Sequence, residues 1–235
     1  MNAINQTWLD KDAEILEGPR PALFRGLSVQ DMDRLYDACQ TETYVDGQTV
    51  RRPQMLGLVE EGALREDMDT DGVPRLFALT FRGELVAPHG PRTQATRVHA
   101  MGETRLLTCE SGTFSDLCVT IPRLRLNVLQ LMHDQLDAAR NWHLLLGRKT
   151  AAERMASLLY DVYRRQGCPD EIAFGLSRAE IGQMLGLTLE TASRQLRALQ
   201  KAEIVSLPSR GTVCVLEPQR LLLATGDMSE QRRAA

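Results

Sequence analysis

A carboxylate, a hydroxyl and two guanidinium groups lie close together near the C-terminal end of the chain, at Glu190, Ser193, Arg194 and Arg197. Between Ala192 and Leu199, apolar residues recur at intervals of four and three, which is typical of the buried face of a helix. The polar groups would then share the opposite, solvent-facing side. A guanidinium can donate to guanine O6 and N7, and a carboxylate can accept from cytosine N4. The pattern therefore predicts a helix that reads base edges in a DNA major groove.

The residues before this helix predict a second, shorter helix and a tight turn. Ser177 followed by Glu180 forms a capping-box pattern, so a helix begins there. Gly186 can adopt the left-handed conformation that ends it, and Thr188 is suited to cap the next helix. At Gly182 the second helix is expected to cross closely. The expected inner face of the first helix comprises Ile181, Met184 and Leu185. Two short helices joined by a glycine-containing turn form a helix-turn-helix.

A hairpin is predicted directly after the helix-turn-helix. Two β-like runs, 204–207 and 212–215, flank the turn sequence 208–211. Such a hairpin fits the wing of a winged helix, with Arg210 at its tip near the DNA backbone. The segment 148–212 carries a net charge of +3, whereas the whole chain carries −3. This asymmetry agrees with phosphate contacts in that segment.

A long helical stretch is predicted from Pro122 to about Gly147, which is expected to end it. Its apolar positions follow a 3-4-3-4-3 spacing, an a/d seam. The seam comprises Leu129, Met132, Leu136, Ala139, His143 and Leu146. A helix packed on its own domain is one interpretation, but the length and narrow seam favour a helix that forms a dimer.

A further helix is expected from about Thr150 to Arg165. Its predicted inner face comprises Ala152, Met155, Leu158, Leu159 and Val162.

The first half of the chain predicts a β-rich domain. Residues 1–27 look like a loose lead-in, and Ser28 starts a short helix with Met32, Leu35 and Tyr36 on one side. From about Tyr44 to Leu117, short apolar runs alternate with turn residues, including 61–62 and 111–112. This alternation is typical of an antiparallel sandwich or barrel.

Bulk composition favours an ordinary globular protein of the cytoplasm. The chain has 235 residues, 43% hydrophobic and 25% charged, and lacks an apolar run approaching the ~18–20 residues of a membrane span. Its first residues carry several acids and no secretory-signal pattern. The five cysteines show no C-x-x-C spacing, so reduced thiols are expected. A reactive thiol at Cys39 or Cys168 is the less favoured alternative.

Two stretches, 145–159 and 176–199, resemble the Crp/Fnr superfamily of transcription regulators, and most of all its FixK/Fnr branch. The resemblance is specific over about 125–220; the first half fits only in layout. It implies an α+β fold: a β-roll sensor domain, similar to a cyclic-nucleotide-binding jelly roll, at 1–120, a dimerisation helix at 121–148 and a winged helix-turn-helix at 149–235. It also implies a homodimeric DNA-binding regulator without enzymatic activity.

The resemblance extends to the reading residues. It implies that Glu190 and Arg194 read the G·C step of a TTGA-type half-site and that Ser193 touches a thymine. The expected target is an inverted repeat resembling TTGAT–N4–ATCAA, read by two helices ~34 Å apart. The expected DNA-contacting residues are Arg178, Thr188, Leu189, Glu190, Ser193, Arg194, Arg197 and Arg210. An activator role and RNA polymerase as a partner are further expectations.

The sensor half shows no complete ligand pattern. A cyclic-nucleotide pocket in this superfamily uses Gly-Glu and Arg-Ser/Thr, but the segment 82–96 looks shortened. Gly83 and Glu84 align with the turn before the pocket. Gln94 falls at the phosphate-binding arginine, and Arg92 is two positions out of register. Neither cyclic AMP nor, without N-terminal cysteines, an Fe–S cluster is therefore expected, and the effector is left open.

A metal or haem site is a competing hypothesis, raised by His89, His99, Glu103 and Cys109. His99 and Glu103 resemble part of a cupin ligand set, but residues four apart on a strand share a face for ordinary reasons. The alternative function is a cupin-like metal- or haem-binding sensor, or a metalloenzyme, with a DNA-binding appendage. No cofactor or metal is expected.

Overall fold

The structure is a computed structural model of one chain and describes residues 21–50, 55–70, 72–86, 96–173, 175–209 and 211–227. The first 20 residues of the predicted lead-in 1–27, the tip residue Arg210, His89, Arg92 and Gln94 lie outside these ranges. A short 3₁₀ turn, Ala22–Phe24, precedes helix α1, Val29–Ala38. The Ser28 hydroxyl accepts a hydrogen bond from the Asp31 N–H at 3.1 Å, so the predicted helix start is confirmed.

The first half forms one antiparallel sheet among the described residues. Its strands are β1 (Gln40–Tyr44), β2 (Met55–Thr70), β3 (Val73–Phe81), β4 (Leu85–Val86) and β5 (Thr96–Glu110). The strand order is β1-β5-β2-β3, and β4 pairs with β2. Strands β2 and β5 are long partners, so the sheet is built around one extended ribbon rather than around many short strands.

Two predicted turns in this half are wrong. Glu61–Gly62 lies inside β2, where the register with β5 shifts. A Cβ on Gly62 would collide with the Glu103 carbonyl oxygen, so glycine marks a bulge with close backbone approach here. Ser111–Gly112 starts helix α2, Ser111–Thr120, which also contains Leu117. The turn at Arg82–Gly83 is present between β3 and β4.

Helix α3, Pro122–Arg148, is the predicted long helix, and helix α4, Ala151–Arg165, follows almost at once. Gly147 does not end α3, because the break comes at the extended residue Lys149. Thr150 then starts α4 with a capping box to Glu153. Helix α3 therefore ends where the N-terminal cap of α4 begins.

The predicted inner face of α4 is correct except at its first residue. Met155, Leu158, Leu159 and Val162 are buried. Ala152 is exposed because it lies in the first turn, before the buried stripe begins.

The last third contains the two helices and the hairpin. It comprises β6 (Glu171–Ala173), α5 (Arg178–Leu185), α6 (Leu189–Lys201), β7 (Val205–Ser206), β8 (Thr212–Val215) and α7 (Pro218–Ala224). Strand β8 pairs with both β7 and β6. The wing is thus a three-stranded sheet, and β6 and α7 were not predicted. The α+β class, with a sheet, a long helix and a winged helix-turn-helix, is confirmed.

The largest apolar core does not stop at the winged helix. It joins buried residues of α4, α5 and α6 to Leu76, Leu79 and Phe81 of β3 and Ala63 of β2. A second core lies beneath α1, α2 and the first half of α3, and a third lies within the sheet. The part of the chain that contains α4, α5 and α6 therefore packs on the hairpin β2–β3 of its own chain. No helix in the described ranges is both long and apolar enough to cross a bilayer.

Gly182→Val should destabilise the helix-turn-helix. A Cβ on Gly182 would lie 2.8 Å from the Leu187 carbonyl oxygen, so the close neighbour is the turn before α6 rather than α6 itself. Since backbone must shift to admit the side chain, we expect the free energy of unfolding in urea to fall by about 2 kcal/mol.

The matched control is Gly112→Val in α2, where an added Cβ meets nothing within 4 Å. Its unfolding free energy should stay within ~0.5 kcal/mol of the parent. Equal stability of the two variants would contradict the close approach at Gly182.

Candidate nucleic-acid interface

The helix-turn-helix is set by local hydrogen bonds at each helix end. The Ser177 hydroxyl accepts from the Glu180 N–H at 3.2 Å, and the Glu180 carboxylate accepts from the Ser177 N–H at 2.8 Å. Gly186 ends α5 in the left-handed conformation, with φ 62° and ψ 38°. The Thr188 hydroxyl then accepts from the Thr191 N–H at 3.2 Å. The predicted capping box, turn glycine and second cap are all confirmed.

The inner faces of both helices match the predicted residues. Ile181 and Leu185 of α5 are buried, as are Ala192 and Leu196 of α6. Met184 and Leu199 are half-buried at the edge of the same core. One side of α6 is therefore fixed against the protein, which determines the side that faces solvent.

The opposite side of α6 is uncovered. Glu190, Arg194 and Arg197 are exposed, and the side chain of none of them makes a hydrogen bond or ion pair with another described residue. Leu189 is 54% exposed, whereas Ser193 is half-buried. Donors and an acceptor without protein partners remain available to a ligand that enters from solvent.

The other residues expected to contact DNA are less available than those on α6. Thr188 is exposed but its hydroxyl already caps α6, and Arg178 at the start of α5 is half-buried. Arg210 lies outside the described residues. Of the wing residues beside it, the Ser209 hydroxyl donates to the Thr212 hydroxyl at 2.8 Å.

Arg154 on α4 ties the helix-turn-helix to the long helix, and sequence reasoning missed it. Its guanidinium donates to the carbonyls of Leu146 at 2.6 Å, Lys149 at 2.9 Å and Leu185 at 2.9 Å. These carbonyls lie at or just beyond the C-terminal ends of α3 and α5, where backbone acceptors lack helical partners and the helix dipole is negative. The signal was a charged residue beside the buried stripe of α4, because such a charge needs partners.

A Crp-like helix-turn-helix domain matches residues 153–223. The transcriptional activator protein FnrL of Cereibacter sphaeroides is 35% identical over 168 residues, which cover 68% of this chain and 68% of that protein. The chain belongs to the Crp/Fnr family. It is therefore a DNA-binding transcription regulator, and the resemblance seen in its sequence is confirmed.

Other relatives of this Crp/Fnr regulator agree. The fumarate nitrate reduction regulatory protein of Klebsiella oxytoca is 34% identical over 208 residues, 83% of this chain and 82% of that protein. The nitrogen fixation regulation protein FixK of Azorhizobium caulinodans is 35% identical over 156 residues, 64% and 63% of the two chains. The FixK2 structure from Bradyrhizobium japonicum, at 24% identity, superposes with a TM-score of 0.70 and covers 81% of this chain and 99% of that one. It has the same fold.

The long helix of this Crp/Fnr regulator has one covered and one bare face. Leu124 and Leu131 are buried, and the buried Asn127 donates to the carbonyls of Leu23 at 2.8 Å and Arg25 at 2.9 Å. The residues of the predicted seam from Leu129 to His143 lie on the other, exposed face of the helix. Leu129, Met132 and Leu136 are 56%, 57% and 49% exposed, and Ala139 and His143 are exposed too. Leu146 departs from the seam, because it is half-buried against the winged-helix core.

The residues considered for a metal or haem do not converge. His99 Nδ1 lies 3.2 Å from the Thr49 hydroxyl, Glu103 is exposed and Cys109 is buried. Among the described residues, no group of three His, Cys, Asp or Glu side chains could hold a metal ion. The relatives are transcription regulators, which disfavours the metalloenzyme alternative.

Burial makes two of the thiols weak nucleophiles. Burial raises the pKa of Cys39 and also that of the neighbouring Cys109. A raised thiol pKa leaves little thiolate near neutral pH, so the less favoured hypothesis of a reactive Cys39 loses support. Cys168 is exposed in the loop after α4.

Arg154→Lys should weaken the junction between α3 and α5. An ammonium keeps the charge but cannot span carbonyls on two helices as a planar guanidinium does. We expect the free energy of unfolding in urea to fall by about 1–3 kcal/mol, because helix-end acceptors lose their donors.

The comparison variant is Arg148→Lys, an exposed residue at the end of α3. Its stability should equal that of the parent. If Arg154→Lys behaves like Arg148→Lys, the guanidinium bridge does not hold the junction.

Proposed function

We propose that this regulator binds, as a homodimer, an inverted repeat of TTGA-type half-sites through the outer face of α6. The observation that carries the proposal is the uncovered Glu190–Arg194 pair at the start of a helix whose other face is buried. The proposal assigns Arg194 to guanine and Glu190 to the paired cytosine, which their donors and acceptors fit.

The remaining contacts follow from position and chemistry. Ser193, between the two reading residues and half-buried, is assigned to a thymine. Leu189 presents an apolar side chain suited to a thymine methyl group. Arg197, Arg178 and, at the wing, Arg210 supply positive charge for phosphates, which adds affinity and register rather than sequence preference. The Thr188 hydroxyl supports these contacts by capping α6.

Dimerisation is assigned to the bare seam of α3. The face that packs on its own chain is used by Leu124, Asn127 and Leu131, so the exposed leucine and methionine side chains need another partner. Their heptad spacing matches a second copy of the same helix. Two copies would present two α6 helices about one DNA turn, ~34 Å, apart. The seam is proposed to extend from Leu129 to His143, with Leu146 shared with the winged helix.

The proposed division is a sensor domain at 1–120, a dimerisation helix at 121–148 and a winged helix at 149–235. Because relatives such as FnrL are named transcriptional activators, we propose that this protein activates transcription by contact with RNA polymerase. A regulator of chromosomal genes works where the chromosome is, which places it in the cytoplasm. The sensor domain would shift the dimer between DNA-binding states in response to an effector.

Arg194→Ala tests the reading assignment. We expect the variant to remain a folded dimer but to bind a TTGAT–N4–ATCAA duplex no better than an unrelated duplex, since a bidentate arginine contributes about 1–3 kcal/mol per half-site. Fluorescence anisotropy at fixed salt with both duplexes measures this.

The matched control is Arg220→Ala, which removes the same charge from an exposed position on α7. It should keep the preference for the palindrome. Normal binding of the palindrome by Arg194→Ala would refute the assigned role.

Leu136→Asp tests the seam. A carboxylate at a buried a/d position would lack a partner, so we expect the dimer to dissociate. The control Asn141→Asp adds the same charge at an exposed position of α3 outside the seam. Light scattering should give 26.3 kDa for Leu136→Asp and twice that for the control. A dimeric Leu136→Asp variant would reject the seam.

A further inference from the structure

Two polar contacts link the sensor sheet to the winged helix above the shared apolar core. At the first contact, Arg165 near the end of α4 meets Glu84 in the turn before β4. Arg165 Nε donates to Glu84 Oε1 at 2.8 Å, and its Nη2 donates to Glu84 Oε2 at 2.7 Å. The same Nη2 donates to the Leu79 carbonyl at 2.6 Å. The guanidinium also lies over the Phe81 ring, 4.7 Å from its centre.

The second contact lies at the start of the helix-turn-helix. Arg65 of β2 donates from Nη1 to Glu180 Oε1 at 2.7 Å. Its Nε and Nη2 donate to the two oxygens of the buried Asp67, at 2.9 and 2.7 Å. Asp67 therefore aims Arg65 at α5. Glu180 is also the capping residue of α5, so this bond reaches the first turn of the helix that supports α6.

The turn that holds Glu84 also touches the long helix. Gln135 of α3 donates from Nε2 to the Leu85 carbonyl at 2.9 Å. The Glu84 carboxylate is itself held in place, because it accepts a hydrogen bond from the Phe81 N–H at 3.0 Å. The residues 84–85 are thus a point where the sheet, the long helix and the winged helix meet.

We propose that these two contacts, Arg165–Glu84 and Arg65–Glu180, form an interdomain joint that positions the winged helix on the β2–β3 hairpin for DNA binding. The residues are positioning residues, since none lies on the exposed face of α6. The sensor contacts use α4 and the start of α5, so Glu190 and Arg194 stay uncovered while the joint is closed. The closed joint therefore leaves the proposed DNA-binding face accessible. It also limits the orientations of the winged helix relative to the sheet, so DNA binding loses less conformational freedom.

The electrostatics of the joint agree with its geometry. Burial by itself lowers the pKa of Arg165, but Glu84 and Asp161 outweigh it and raise that pKa. Burial likewise works to raise the pKa of Glu180, yet hydrogen bonds from Ser177 and the charge of Arg65 bring it below its usual value. Both pairs favour the charged forms.

The chain offers a matched pair of variants. Arg165 binds two carboxylates, Glu84 on the sensor and Asp161 on its own helix, the latter at 3.1 Å. Glu84→Gln removes the interdomain carboxylate but keeps a carbonyl oxygen to accept from Phe81. Asp161→Asn removes a carboxylate that, among the described residues, pairs only within α4. A general loss of charge around Arg165 would affect both variants alike, whereas loss of the joint affects only Glu84→Gln.

The experiment measures two quantities on the full-length dimer. Hydrogen–deuterium exchange at β3 and at the start of α5 reports whether the joint is closed, independently of any DNA. Anisotropy with the palindrome reports affinity; this readout rests on the proposed target. We expect Glu84→Gln to speed exchange at both surfaces and to weaken affinity about fivefold or more, the usual lower range for coupled sites. Asp161→Asn should match the parent in both.

A charge reversal completes the test. Glu84→Arg and Arg165→Glu should each open the joint by like-charge repulsion, and the double variant should regain part of the slow exchange and of the affinity. Unchanged exchange in Glu84→Gln, or equal effects in Asp161→Asn, overturns the joint. Faster exchange with unchanged or tighter affinity overturns its role in DNA binding. If the parent itself ignores the palindrome, the target assignment fails, while the exchange data still decide whether the joint exists.

Discussion

One guanidinium group, that of Arg154, joins the parts of this regulator that must act together. Helix ends leave backbone carbonyls without partners, and the field of each helix makes its C-terminal end negative. Arg154 meets this requirement for α3 and α5 at once, with donor–acceptor distances of 2.6 to 2.9 Å. The angle between the long helix and the helix-turn-helix is thereby fixed to within the tolerance of hydrogen bonds. In the proposed dimer, this angle would set the orientation of the two α6 helices relative to the paired α3 helices.

The two faces of α3 are the physical basis of the proposed dimer. One face is satisfied within the chain, by apolar contacts and by the two hydrogen bonds of Asn127. The seam from Leu129 to His143 is left in solvent. A run of large apolar side chains on one stripe of a helix costs free energy in water, and a second copy removes that cost without disturbing the first face. In the proposed dimer, the contact between two α3 helices would both cover the seam and set the distance between the two α6 helices.

The sequence predicted those features that depend on residues three or four positions apart. The caps at Ser28, Ser177 and Thr188 and the left-handed Gly186 each act within one turn of chain, and all are present. Since the buried stripe of α6 follows from its period, the uncovered side with Glu190 was predicted as well.

Features decided by distant partners were missed. The sequence predicts a turn at Gly62 because glycine commonly makes one, but pairing with the long strand β5 makes the position a bulge. Strand β6 exists because β8 pairs with it, and three residues carry too weak a pattern to reveal it alone. The Arg165–Glu84 pair joins residues 81 positions apart, so no local spacing marks it.

The winged helix is attached at two separate places, and this determines how it can move. Arg154 fixes it to the end of α3, whereas Arg165 and Arg65 fix it to the sheet. Together with the apolar core that the winged helix shares with β2 and β3, these separated contacts leave the winged helix little freedom to rotate on the sheet. Helix α6 is packed against α4 and α5 and so follows them. A change in the sheet that shifts Glu84 or Arg65 would therefore be transmitted to α6, whose proposed base-reading side chains Glu190 and Arg194 are exposed in this arrangement. If the proposed joint operates, control would act on the orientation of an exposed surface rather than on covering it.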